Sequence, residues 1–302
     1  MRRWWVRIIA AVVVVVLLLF GAVLLLTNSN WGRERVRRYI ENWVRSNSHG
    51  LIHIGKVTGN LLRGFTLHDV VLTDSAHRPF IKADEMWARY TLTTLRGKRI
   101  DFRDVKLVRP IVVIEKPPGG KWNYERIFPR DTTTPQGPRK TGWGTWIRFT
   151  NVNVAQGDLS VRAPWQPDPH KSAAEQKDAV RRALGPGERL KVFQVPGGYQ
   201  KEFAFHQLNG IFPLVRLEDP AYPSRRIDVA ALSMIAAPFR PPVADVRGLT
   251  GSFDFTGDSL WWKGARVAFP QTKAAGDGKY YLNNGDLHLR LHGDPLNPAD
   301  LQ

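Results

Sequence analysis

Three polar residues occupy the same place in three copies of one pattern, and they are the first candidates for chemistry. Asp69 lies in Phe65-Thr66-Leu67-His68-Asp69-Val70-Val71-Leu72. Asp104 lies in Ile100-Asp101-Phe102-Arg103-Asp104-Val105-Lys106-Leu107, and Asn151 in Ile147-Arg148-Phe149-Thr150-Asn151-Val152-Asn153-Val154. A pair of carboxylates doing acid–base work has no reason to recur with a repeat. Asx side chains bond nearby backbone N–H groups and suit bends, so these positions read as backbone geometry. His49 and His53 have ligand spacing only on a helix, and their segment reads as chain turning into strand. His288 and His292 share a strand face but stand too far apart for one metal. The chain has no Cys, which excludes disulfides, thiolate metal sites and Cys nucleophiles. No Gly-rich phosphate loop opens a helix, and no Gly-x-Ser-x-Gly occurs. The sequence therefore assigns no catalytic, cofactor-binding or metal-binding residue. Trp261-Trp262 points one indole to each face of a strand, which suits core packing better than ligand stacking.

The element that positions these Asx residues is a strand with a slip. In each copy the apolar residues follow apolar-x-apolar-x-x-apolar-x-apolar, with a polar pair in the middle. Period two means a strand with one buried face. The extra residue would turn every later side chain to the wrong face unless a bulge or kink restores the phase. Each copy reads as a strand bent once at its Asp or Asn, and three copies suggest a repeated β unit. The apolar positions are Phe65, Leu67, Val70 and Leu72; Ile100, Phe102, Val105 and Leu107; and Ile147, Phe149, Val152 and Val154. They line either a closed core or an open groove able to take acyl chains, and the pattern is the same for both.

Composition bounds the rest. The 302 residues suffice for one or two domains. The 21 Pro and 26 Gly are scattered, as many short strands joined by turns require. The formal net charge of +17 suits nucleic acid, an anionic membrane surface or a polyanionic envelope. Many basic residues alternate along strands, as on a solvated outer face.

Taken in order, 1–7 is a short basic terminus, and 8–26 is unbroken apolar sequence, long enough to span a bilayer. No small-residue cleavage site follows it, so it reads as an uncleaved signal-anchor. The short N-terminal side is expected in the cytoplasm and the long remainder across the membrane. A basic amphipathic helix is expected over 31–48, with Val36, Ile40, Trp43 and Val44 on one face. Such a helix lies on anionic headgroups or caps the first strands with its stripe, and direct attachment to a β region favours the cap. A first β unit covers 52–130, with one helical turn expected over 91–96. A Pro- and Thr-rich linker and the third bent strand cover 131–163. A polar insertion covers 164–187, with a capping box at Ser172 and Glu175 opening a helix from Ala173 to Leu184 closed by Gly185. A second β region covers 188–302 and reads as cut from something longer. Its expected turns are Gly257-Asp258, Asp277-Gly278 and Asn284-Gly285. The expected fold is mainly β: an elongated, twisted, predominantly antiparallel sheet forming a groove, with an N-terminal transmembrane helix, a short amphipathic helix and one helical insertion.

The run Gly55-Lys-Val57-Thr-Gly59-Asn-Leu61-Leu62-Arg-Gly64-Phe65-Thr-Leu67-His-Asp69-Val70-Val-Leu72-Thr-Asp74 behind an anchor resembles the start of AsmA-like proteins, above all the TamB branch, the inner-membrane subunit of the translocation and assembly module. Phe80-Ile-Lys-Ala83-Asp84, Ile100-Asp-Phe102, Val108-Arg-Pro110 and Gly120-Lys-Trp122-Asn123 extend the likeness through residue 130. The insertion at 164–187 departs from it. The resemblance implies an inner-membrane protein whose periplasmic part is a long β groove bridging toward the outer membrane. It implies phospholipid movement and outer-membrane assembly, membrane lipids as ligands, and an outer-membrane barrel protein as partner. It implies no enzyme activity. Export across a membrane removes nucleic acid as a partner. The competing expectation is a tethered envelope enzyme or glycan-binding module, a closed sandwich with Trp122, Trp165 or Trp261 as stacking platforms and converging carboxylates.

Overall fold

The structure, a computed structural model, describes residues 29–60, 64–90, 99–127, 146–185, 191–237, 243–256, 259–281, 286–293, 295 and 297–301. The expected span at 8–26, the turn at 91–96, the linker at 131–145 and the turns at 257–258 and 284–285 lie outside these. Among the described residues no helix is long and apolar enough to cross a membrane.

The period-two segments form one mixed sheet of fifteen strands. In chain order they are β1 (Gly50–Asn60), β2 (Gly64–Asp74), β3 (Pro79–Tyr90), β4 (Ile100–Val108), β5 (Ile111–Glu115), β6 (Ile147–Trp165), β7 (Lys191–Val195), β8 (Gly198–Glu218), β9 (Arg225–Val229), β10 (Ala231–Ala237), β11 (Ala244–Val246), β12 (Gly248–Thr256), β13 (Ser259–Ala268), β14 (Lys273–Tyr281) and β15 (Leu287–Gly293). The main path runs β1-β2-β3-β4-β6-β8-β9-β12-β13-β14-β15. In line with β4, β5 fills the gap between β3 and β6, and β7, β10 and β9 share the second edge of β8. Both β4 and β5 run parallel to β6, and the other pairs are antiparallel. The two β regions expected from the sequence thus join in one sheet. Residues 198–218 form one long strand, β8.

Among the described residues three α-helices accompany the sheet: α1 (Asn30–Asn47), α2 (Asn123–Ile127) and α3 (Ala173–Leu184). Helix α1 opens on Ser29, whose side chain accepts from the Gly32 N–H. The stripe it buries is the apolar one: Val36 and Ile40 pack on Ile54 and Val57, the centre of the core cluster. The N-cap of α3 is Ser172, with the Glu175 carboxylate reaching back to close the capping box. It packs on β7 at the sheet's margin.

The bends fall on the Asx residues. Asp69, Asp104 and Asn151 have φ of 52°, 51° and 53°, the left-handed region that Asp and Asn tolerate better than most residues. The slip is absorbed in two ways. Between β3 and β4 the register shifts by one residue, a bulge at Asp104. Around Asp69 the register is unbroken on both sides, because the neighbours slip in step: Ile54 and Val57 in β1, and Ala83 and Met86 in β3, pair with Val70 and Leu67. Gly55 makes room for this, since a Cβ there would lie 3.0 Å from the Asp69 side chain. The expectation of one bend per strand is incomplete. A second left-handed row crosses the sheet at Arg109, Gln156 and Gln207, with φ of 46°, 54° and 54°, so β6 is bent twice.

One expected turn is corrected. Asp277-Gly278 lies inside β14, not between strands. Gly278 is there because the Trp262 indole lies against the backbone: a Cβ would fall 2.2 Å from a ring carbon.

Candidate functional site

The bends keep every slipped strand's apolar residues on one face, and cross-strand pairing joins them into rows, because directly paired residues share a sheet face. One row runs Val57, Leu67, Met86, Leu107, Val154, Gly210 and Leu232, pair by pair from β1 to β10. Nearer one set of strand ends, a row runs Ile52, Leu72, Ile81, Val112, Leu159, Phe205 and Ala236. Nearer the other, Phe102 pairs with Phe149, then Val215, Ile227, Phe253, Trp262, Gly278 and Leu289. Phe102 and Phe149 stack at 6.0 Å, and Phe253 lies 6.2 Å from Trp262. All twelve apolar positions picked out by the pattern share this face. Val70, Val105 and Val152, each just past a left-handed residue, are buried, and the other nine are half-buried.

What covers the face differs along the sheet. At the β1–β2 end it meets protein: Phe65 and Leu67 pack in the cluster with Val36 and Ile40 of α1. Leu72 and the fully buried Ile127 of α2 both crowd Gly50. The edge of β1 is closed as well. Glu41 of α1 accepts the Ile54 N–H at 3.1 Å, and Arg37 donates to the Ile54 carbonyl at 3.3 Å. From β4 onward, among the described residues, no second sheet packs on the apolar face. At the far edge Leu287, Leu289 and Leu291 of β15 are about half exposed. An open depression of about 840 Å³ at this edge is lined chiefly by the other face, by Trp261, Lys263, Asp277, Lys279, His288 and Arg290, beside Trp262, Leu287 and Leu289.

The sheet also curls along its strands. Asn123 of α2 holds β5 through the Val113 carbonyl and the Glu115 N–H, level with Ser160 of β6. Arg225 donates to the Leu217 carbonyl and the Glu218 carboxylate, level with Ile147 of the same strand. Along a straight strand those levels are ~43 Å apart. Yet the Arg225 guanidinium lies 5.8 Å from the centre of the Tyr124 ring. A straight β6 would not allow this contact, so the strand is bent between the two levels, the stretch that holds the left-handed residues Asn151 and Gln156.

The opposite face is polar and tied by ion pairs. Buried Asp101 sits between Arg148 at 3.4 Å and Arg103 at 3.6 Å. Asp104 takes Arg89 at 3.2 Å and the Asn151 amide at 3.0 Å. Glu202 is buried, which pushes its carboxyl up, but bonds from Lys191, Ser160 and Arg162 outweigh this and hold it down to about 2. Burial likewise opposes the lowering of Asp74, which bonds from the Arg78 backbone and side chain and from the Ala76 N–H hold below the usual range. Lys201 and Tyr280 alternate in phase with Phe203 and Gly278, on the apolar face, and burial alone pushes the Lys201 ammonium down and the Tyr280 phenol up. Thr58, His68 and Glu85 meet across three strands: Thr58 Oγ1 lies 2.8 Å from His68 Nε2, and Glu85 lies 3.6 Å from Nδ1. Among the described residues no three His, Asp or Glu form a set able to hold a metal.

Of the expected stacking platforms, Trp122 is buried against Tyr124 at 6.0 Å, and Trp165 meets Tyr199 edge-on at 6.0 Å. Trp261 lies beside Asp254 and Lys279 on the polar face. Sequence reasoning missed the apolar face's second half: Phe212, Val215, Ile227, Phe253 and Trp262. A signal was present in β8, where Gly210-x-Phe212-x-x-Val215-x-Leu217 carries the same slip with Pro213-Leu214 in place of an Asx residue. No family model, curated protein or solved structure matches the chain.

Proposed function

We propose that this chain is a membrane-anchored scaffold whose curled sheet holds lipid acyl chains, moving phospholipid between inner and outer membranes and serving outer-membrane biogenesis. One observation carries the reading: the apolar row from Phe102 to Leu289, continuous across the sheet, with no layer packed on it among the described residues. Each methylene moved from water into such a groove gains ~0.8 kcal/mol. Half-buried rings and aliphatic side chains offer an acyl chain apolar contact. Among the described residues, α1 covers this face at the β1–β2 end, and the leucines of β15 at the other end are about half exposed. The apolar run at 8–26 and the resemblance to AsmA-like proteins of the TamB branch support an inner-membrane anchor, with the sheet in the periplasm and an outer-membrane barrel protein as partner.

Photo-crosslinking residues at Phe149 and Phe253 test this in cells, with Lys106 on the polar face as control. Phospholipid adducts are expected by mass spectrometry at both groove positions and not at Lys106. Phe149→Asp should remove the adduct at position 253 if lipid passes along the groove. Adducts at none of the three positions, or equally at all of them, would remove the basis for the reading.

A further inference from the structure

Helix α1 has spent its apolar stripe on the sheet, and its other face has a composition of its own. Past Asn30, at the helix's first position, the exposed residues are Trp31, Arg35, Arg38, Tyr39, Asn42, Arg45 and Ser46. At 100° per residue these seven fall within one sector of about 120°, extending ~22 Å along the axis. Trp31 is 58% and Tyr39 67% exposed. Arg35 lies over the Trp31 ring at 5.4 Å, so the charge and the ring share one surface. There is no carboxylate in the sector. Glu34 stands at its margin, bonded to Arg37 on the sheet side and 3.4 Å from Arg38. Aromatic rings beside arginines on one helical face are the chemistry of a bilayer interface, where the rings sit among headgroups and the guanidiniums meet phosphates.

We propose that the outer face of α1 seats on an anionic phospholipid surface, through Trp31 and Tyr39 at headgroup depth and Arg35, Arg38 and Arg45 on phosphate. Charge complementarity selects the occupant. Continuity supports it, since the apolar run at 8–26 ends four residues before the helix begins. The seat rests on the membrane anchoring proposed above but not on lipid in the groove. It adds a function to the anchor: the span tethers, and the seated helix fixes which end of the sheet faces the bilayer.

The Cys-free chain allows a clean test. The full chain carries Tyr39→Cys labelled with nitrobenzoxadiazole, or Arg290→Cys on β15 as a distant control. It is reconstituted into phosphatidylcholine vesicles with or without one part in three of phosphatidylglycerol, both holding nitroxide-labelled lipid. The Tyr39 label should be quenched more in the anionic vesicles, and the Arg290 label in neither. Each arginine near an anionic surface is worth roughly fivefold in partition, so Arg35→Glu with Arg38→Glu should abolish the difference. Arg35→Lys with Arg38→Lys should preserve it. These arginines do not face the sheet, and unchanged circular dichroism checks folding. Equal quenching in both vesicle types, or none in either, overturns the seat. Flotation with the zwitterionic vesicles judges the span separately, so the two readings fail by different results.

Discussion

Replacing Asn151 by Val tests whether the left-handed bend is built into the sheet by its Asx residue. Asn151 has φ of 53°, a region costing an ordinary L-residue ~1–2 kcal/mol and a β-branched one more. Its amide also donates to Asp104 at 3.0 Å, an exposed bond worth about 1 kcal/mol. Asn151→Val should therefore destabilise by ~2–3 kcal/mol. Asn151→Gly loses the same bond but adopts the backbone freely, at an entropic cost of ~0.5–1 kcal/mol in the unfolded chain. The gap between the two variants is the bend's strain less the glycine's entropy, expected at ~0.5–1 kcal/mol. Gln156 has φ of 54° without an Asx side chain to ease it, so Gln156→Gly should be neutral or stabilising by up to ~1 kcal/mol. Urea unfolding of the detergent-solubilised chain, followed by far-ultraviolet circular dichroism, measures all three. If Val and Gly at position 151 cost the same, conformation at the bend is irrelevant and the account of the slip is wrong.

Glu202 gives a pH dependence. Its folded pKa is held down to about 2 from 4.5, so its contribution is complete above pH 4.5 and lost as the pH falls toward 2. The midpoint difference between the parent and Glu202→Gln should shrink over that window; a difference constant from pH 6 to pH 2 would contradict the ion cluster. Glu41→Ala leaves the N–H of fully buried Ile54 unpaired, costing ~1–3 kcal/mol. It should also uncover the β1 edge, and sedimentation should then detect concentration-dependent association. Gly278→Val drives a side chain into the Trp262 indole and should cost at least ~1–3 kcal/mol; a variant as stable as the parent would show that the indole lies elsewhere.

The sequence by itself determined what depends on neighbours a few residues apart. Period-two alternation marked most of the strands. The doubled polar pair placed the left-handed residues at Asp69, Asp104 and Asn151, because a slip in phase must be absorbed where it occurs and Asx residues absorb it at least cost. The capping box at Ser172 and the amphipathic stripe of α1 were legible for the same local reason. Register and curvature were decided only by the tertiary structure. No local signal says that β4 and β6 lie side by side in parallel, or that Val215, Ile227, Phe253 and Trp262 extend the row begun by Phe102 and Phe149. Asp277-Gly278 has the composition of a turn, yet lies within β14 because of an indole packed from another strand. Whether Phe65 and Leu67 meet protein was likewise beyond the pattern, since closed cores and open grooves alternate alike. The fold answers it: at the β1–β2 end they meet α1, and past β4 the same face has no sheet packed on it among the described residues.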